Sequence, residues 1–188
     1  MKVTREQAAL NRERIVEAAA QLFRERGFEG IGVADLMKEA GLTHGGFYGH
    51  FSSKDDLIAE ASARALTRSL ALLSEVAERA SGDPLSAVAA AYLASSHRDN
   101  PGAGCVLAAL GPDVSRQGPA VRRAATDHLR SAFDLLAKLV RGTSKSARRQ
   151  KAISTYATLV GAMVLARAVD DRALSQAILD AGRASVRT

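Results

Sequence analysis

Apolar residues recur at helical spacing through most of the chain. Over 4–26, Ile15, Ala18, Ala19, Leu22 and Phe23 mark one amphipathic helix, which Gly27 ends. Val33, Leu36, Met37 and Ala40 then fall at i, i+3, i+4 and i+7, the spacing of a second helical face. Gly41 follows, where a helix prefers a left-handed closing residue without a Cβ. Leu42 supplies an apolar contact just past that cap. The hydroxyl of Thr43 is placed to N-cap a third helix over 44–50, about two turns long, with Phe47 and Phe51 on one side. The first helix is expected to pack on Val33, Leu36 and Phe47, making a three-helix module. A module of about 50 residues is marginal alone, so it should lean on the helix that follows. Ser53 caps that helix, and Asp55 and Asp56 sit where the helix dipole favours acid. Its stripe of Leu57, Ile58, Ala61, Leu66, Leu70, Leu73 and Val76 reaches about residue 80, a span of about 40 Å.

The second half continues in helices. Ser81-Gly82-Asp83-Pro84 is a break, with Asp83 as N-cap and Pro84 at the first helical position. One helix is expected through Val88, Tyr92 and Leu93 to about residue 98, then a turn over 99–102. A short apolar helix over 103–110 should hold Cys105. Gly111-Pro112 and Gly118-Pro119 read as brackets of a polar loop. A long helix follows through Val121, Ala125, His128, Phe133, Leu136 and Val140, closed by Gly142-Thr143-Ser144. The last two helices are expected near 144–169 and 171–184. Residues 156–166 are apolar nearly all round, and a terminal helix has a solvent side unless something covers it. A partner subunit is the economical cover, with Gly161 and Ala162 allowing close approach and Leu174 and Ile178 completing half of a four-helix interface. The competing arrangement is a buried central helix in a monomer.

Composition agrees with an all-α fold. The 188 residues are nearly half apolar, without Trp and with four Pro, and Ala and Leu dominate. No apolar run approaches the ~18 residues of a membrane span. The N-terminus has no signal-peptide core, so a cytoplasmic protein is expected, with no membrane partner. One Cys excludes an internal disulfide, and four scattered His lack metal-ligand spacing. No nucleophile–base pair, phosphate loop or metal cluster stands at motif spacing, so neither an enzyme nor a cofactor is expected. The net charge is +6, but residues 1–54 carry eight Lys or Arg against seven Asp or Glu. Residues 116–151 carry ten against two, read mainly as a solvated face. Binding of nucleic acid must therefore come from locally placed cations: Lys54 and some of Lys2, Arg5, Arg12 and Arg14.

A helix, a glycine turn and a second short helix form the helix-turn-helix pattern, whose second helix enters the DNA major groove. Gly45-Gly46 costs about 1 kcal/mol per residue against Ala inside a helix. Either the helix start is a loose turn or something bulky comes close to its backbone. Tyr48, His50 and Lys54, all good donors to phosphate oxygen, favour a DNA strand.

The stretch 40–57, AGLTHGGFYGHFSSKDDL, resembles the DNA-binding signature of the TetR family of transcriptional regulators, and the resemblance runs from near Arg12 to about Leu57. It implies an all-helical homodimer, with a DNA-reading domain over 1–52 and a ligand-binding and dimerisation domain over 53–188. It implies that Thr43, Tyr48, His50 and Lys54 hold the DNA backbone, and that His44, Gly45 and Gly46 face the bases. The departures are Gly32, where a Ser or Thr cap is usual, and the Gly45-Gly46 pair, which removes side chains from the reading face. The partners implied are double-stranded operator DNA, a second copy of the chain and a small apolar effector. The middle helices would enclose the effector, with Tyr92, His97, Cys105, His128 and Tyr156 as polar groups among apolar walls. The expected function is a repressor of palindromic operators released by that effector, with the helix from Ser53 as the lever. The alternatives are a redox or electrophile sensor acting through Cys105, which sits near a helix N-terminus, and a DNA-binding dimer without a ligand.

Overall fold

The structure, a computed structural model, describes residues 4–186. Lys2, one of the cations named above, lies outside them. The described residues form nine α-helices and two short 3-10 helices, without strands.

The N-terminal helices begin and end where local chemistry dictates. α1 (Arg5–Arg26) is capped by Thr4, whose hydroxyl accepts from the Gln7 amide at 3.1 Å, and it closes on Gly27 at φ +80°. α2 (Val33–Glu39) ends in a Schellman motif. The Leu42 amide donates to the Met37 carbonyl at 2.8 Å and the Gly41 amide to Lys38 at 2.9 Å. Gly41 sits at φ +69°, where a Cβ would be strained. The third helix is a 3-10 helix over His44–Gly49 rather than the α-helix through residue 50 that periodicity suggested. α3 (Lys54–Glu78) starts on Ser53, whose hydroxyl accepts from Asp56 at 3.0 Å, and spans about 38 Å.

The remaining helices are α4 (Pro84–Tyr92), α5 (Ser95–Asp99), α6 (Val106–Arg116), α7 (Pro119–Leu139), α8 (Lys145–Ala168) and α9 (Arg172–Val186), with a 3-10 turn over Pro101–Ala103. Three expectations need correction. The helix expected from Pro84 to residue 98 breaks after Tyr92. The freed carbonyls find side chains: Tyr92 O accepts from His97 Nδ1 at 2.6 Å, and Leu93 O from Arg183 Nη1 at 3.1 Å. Cys105 is the residue before α6, not inside it. The polar loop expected from Gly111 is helical to Arg116, with Pro112 inside α6. Leu110 and Val114, one turn apart, are both buried in the core. Their burial outweighs the amide hydrogen bond that proline removes.

Two apolar clusters fill the molecule. One joins α1, α2, the His44–Gly49 helix and the start of α3 around Phe23, Leu36, Phe47 and Leu57, and takes in Val106, Leu110 and Val114 of α6 and Val121 of α7. The other gathers α4, α7, α8, α9 and the far end of α3 around Val88, Leu136, Leu159 and Leu179. α3 passes through both. On α8, Tyr156, Leu159, Met163 and Ala166 point inward, while Ile153, Val164 and Leu165 are exposed, as is Leu174 on α9. No helix among the described residues is long and apolar enough to cross a membrane.

Candidate functional site

The Schellman closure of α2 sets the entry of the His44–Gly49 helix, and Phe47 anchors it. Phe47 is fully buried, stacks on Phe51 at 5.7 Å and meets the Tyr48 ring edge-on at 5.3 Å. Tyr48 itself is 70% exposed, a large ring held rigidly in solvent. Thr43, His44 and Gly45 are exposed beside it, and Gly46 and His50 are half-buried. Thr43 stands at the N-cap position, but its hydroxyl makes no capping bond. The 3-10 pattern explains this: the Gly46 amide is already taken by the Thr43 carbonyl at 3.0 Å. The hydroxyl is left for an external acceptor.

The glycine pair answers to nothing inside the chain. Neither glycine has a positive φ. A Cβ on Gly45 would meet nothing within 4 Å, and one on Gly46 would make only ordinary contact with Met37 at 3.6 Å. Lys54 opens α3 with its ammonium 3.7 Å from the exposed Glu29 carboxylate, a loose pair that holds little energy. Of the other cations, Arg12 is spent internally: it forks onto Glu60 of α3 and covers the Phe51 ring at 4.6 Å. Pairs Glu13–Arg64 and Glu17–Arg68 extend that ladder between α1 and α3.

The five polar residues expected in the sensing half come together. The Tyr92 and His97 rings meet edge-on at 4.8 Å. His97 Nδ1 donates to the Tyr92 carbonyl, so its Nε2 is the acceptor for the Cys105 amide at 3.0 Å. The Cys105 Sγ lies 3.7 Å from the Tyr156 hydroxyl, which in turn bonds His128 Nε2 at 2.9 Å. Burial pushes both imidazoles down and favours their neutral forms; the nearby Arg167 charge adds to this at His97. Burial pushes both phenols up, beyond any working pH. The Tyr92 hydroxyl and His128 Nδ1 are buried without a hydrogen-bond partner.

Tyr92, His97 and Cys105 line a cavity of about 260 Å³ between α3, α4 and the Pro101–Ala103 turn. His128 and Tyr156 stand behind Cys105 and do not line it. Sequence reasoning missed much of the wall. Leu72 and Leu73 belong to α3, and Arg24 and Arg68 bring two cations. Arg24 comes from α1, so the three-helix module itself supplies part of the cavity. No periodicity could have signalled this, because Arg24 reads as one more charge in a last helical turn.

These features define a helix-turn-helix protein whose recognition module is joined by one long helix to a helical half that contains a cavity. Residues 15–61 match the family of bacterial regulatory proteins, tetR family. Over 83 residues the chain is 32% identical to the HTH-type transcriptional regulator AcrR of Shigella flexneri, covering 44% of this chain and 39% of AcrR. It is 40% identical to TtgR of Pseudomonas putida over 55 residues, 29% of this chain and 26% of TtgR. The matched segment thus spans about two fifths or less of these relatives. In fold the likeness is broader. The reduced form of E. coli NemR superposes with a TM-score of 0.78 at 24% identity, over 94% of this chain and 95% of NemR. A TetR-family regulator from Agrobacterium tumefaciens gives 0.78 at 25% identity, over 96% and 100%. The likeness to the TetR family thus rests in sequence on residues 15–61, and over the rest of the chain it is one of fold.

Proposed function

We propose that the chain is a dimeric transcriptional repressor that binds palindromic double-stranded operator DNA and is released by a small effector. The observation that carries this reading is the rigid, solvent-exposed Tyr48 on a glycine-opened reading helix, flanked by Thr43, His44, His50 and Lys54. In this reading Thr43, Tyr48, His50 and Lys54 hold phosphates, and His44, Gly45 and Gly46 let the helix backbone approach the base edges. Residues 1–52 read DNA, and residues 53–188 dimerise and sense. The exposed apolar residues of α8 and α9, Ile153, Val164, Leu165 and Leu174, support dimerisation, since a partner subunit would cover them. Release follows from differential affinity: the effector favours an arrangement in which the two reading helices no longer match major grooves about 34 Å apart. α3, tied to α1 by its ion-pair ladder, transmits the shift. The test is genome-wide capture of DNA fragments by the purified protein, repeated with Tyr48→Phe and Lys54→Ala. One palindromic motif, weakened across all sites in both variants, is expected. Diffuse, salt-sensitive binding without a motif would overturn operator recognition and leave a DNA-binding dimer without a ligand.

A second reading is favoured by one specific observation. Cys105 is in the cavity wall, immediately before the first residue of α6, with a phenol 3.7 Å from its sulfur. A soft electrophile entering the cavity would meet that sulfur, making the chain an electrophile-sensing repressor. A Cys105 alkylation rate no faster than that of an unfolded thiol, with unchanged DNA release in Cys105→Ser, would remove this reading.

A further inference from the structure

The cavity wall is divided by chemistry. Leu72, Leu73 and Val76 make one part of it aliphatic, whereas Arg24 and Arg68 both reach it, and no Asp or Glu lines it among the described residues. Arg24 is half-buried and has no ion pair among the described residues. Its guanidinium donates instead to a neutral group, the Gly102 carbonyl, from Nε at 2.7 Å and again from Nη2. Burial first, and then the like charge of Arg68, push the Arg24 pKa down, and the charges of Glu17 and Glu25 offset this only in part. Arg68 is held only by Glu17 at 3.7 Å, with both side chains mostly exposed, a pair of little energy. Tyr92 belongs to the same wall, with its hydroxyl buried. Two under-compensated guanidinium groups beside an aliphatic wall suit a ligand with an anionic head and an apolar body. At about 260 Å³ the cavity falls just below the ~300–1,000 Å³ usual for ligand pockets, which limits the ligand to a small one.

We propose that the cavity takes a small amphipathic carboxylate, its head held by Arg24 and Arg68 and its chain laid along Leu72, Leu73 and Val76, and that capture of Arg24 is the step that carries ligand binding into the DNA-reading module. This rests on the reading of the chain as a ligand-responsive regulator and names its effector class. The coupling is local. Arg24 lies in the last turn of α1, and its bond to Gly102 ties α1 to the turn that precedes Cys105. Gly102 is packed so closely on α1 that a Cβ there would run into the Glu25 carboxylate and stand 2.9 Å from Gln21 Cγ. A carboxylate forms stronger, forked bonds to guanidinium than a peptide carbonyl does. It therefore competes for Arg24 and loosens α1 from that turn.

Octanoate, octan-1-ol and octylamine are matched probes for a calorimetric titration of the full chain. Octanoate is expected to bind at least about tenfold more tightly than octan-1-ol, and octylamine not measurably below about 1 mM. Arg68→Gln and Arg24→Gln should each weaken octanoate at least about tenfold while leaving octan-1-ol unchanged. Because Arg24 also holds Gly102, Arg68→Gln carries the test if circular dichroism shows Arg24→Gln to be unfolded. Equal affinity for acid and alcohol, or wild-type octanoate binding in the folded variants, overturns the carboxylate assignment. Octanoate that binds without displacing the protein from its captured DNA fragments overturns the Arg24 coupling. Failure of the native protein to capture any motif would sink the regulator reading instead, and the calorimetric result would stand apart from it.

Discussion

Gly182 is buried on α9 where that helix crosses α8, and replacing it with Ala sets two opposing terms against each other. An added Cβ would stand 2.9 Å from the Ala162 Cβ and 2.9 Å from Leu93 Cδ1. Carbon pairs rest at about 3.5–4.0 Å, so each neighbour must retreat by about 0.6 Å or more. Neither retreats easily. The Ala162 methyl is fixed to the α8 backbone, and Leu93 is fully buried at the break between α4 and α5. Overpacking of this kind costs about 1–3 kcal/mol. Against it, Ala is favoured over Gly in a helix interior by about 1 kcal/mol. The steric term wins over most of its range, and Gly182→Ala is expected to lose up to about 2 kcal/mol of stability, the difference of the two. Urea unfolding followed by circular dichroism reads this, at one protomer concentration because a dimer's midpoint moves with concentration. A midpoint equal to or above that of the parent protein would show that α8 and α9 separate freely here and would refute the packing argument.

Four further outcomes are expected. Phe47→Ala removes a fully buried ring that supports both Phe51 and Tyr48, and should cost about 3–5 kcal/mol in urea unfolding; a loss below about 1 kcal/mol would mean the reading helix is anchored elsewhere. Gly45→Ala places its methyl in open space, so stability should hold or rise by up to about 1 kcal/mol, while affinity for captured operator fragments falls at least about tenfold; unchanged affinity would mean DNA does not approach that backbone. Leu165, 57% exposed, belongs to the proposed dimer face, and Leu165→Asp should give monomers in analytical ultracentrifugation; a persistent dimer would place the interface elsewhere. Burial depresses the His97 and His128 pKa values, so the unfolded chain takes up protons first. Stability should hold above the unfolded value of about 6.5 and fall as pH drops through it, by at most about 1.4 kcal/mol per pH unit for each histidine. Carboxylates such as Glu13 and Asp83, whose pKa values are lowered by hydrogen bonds, act nearer pH 4 and below, outside this window. His128→Gln should flatten the slope between pH 7 and 5.5; an unchanged slope would show that His128 is not among the groups responsible.

Several helix ends were legible from the residues alone because each is decided within three or four positions. Ser53 and Asp83 cap their helices through bonds to amides three residues on, and Gly27 and Gly41 close theirs at positive φ. The reading stretch was legible in part for the same reason: Leu42 and Phe47 act on neighbours a turn away, whereas the Thr43 hydroxyl makes no capping bond. What the chain order could not reveal depends on partners far off in sequence. α6 continues through Pro112 because Leu110 and Val114 bury in a core shared with α1 and α3, which begin far earlier in the chain. The chain breaks at Leu93 because Arg183, from α9, accepts the role of donor to its carbonyl. Tyr92, His97, Cys105, His128 and Tyr156 were each recognisable as polar groups in apolar helices. That Cys105 links one tyrosine–histidine pair to the other, and that only three of the five reach the cavity, follows from how α4, α6, α7 and α8 pack. The arginines show the limit most plainly. In sequence Arg12 and Arg24 are equivalent charges on one helix. Packing pairs one with Glu60 over the Phe51 ring and brings the other, without an ion pair among the described residues, to the wall of a cavity, because the surroundings of a side chain are set by whichever helix lies opposite it.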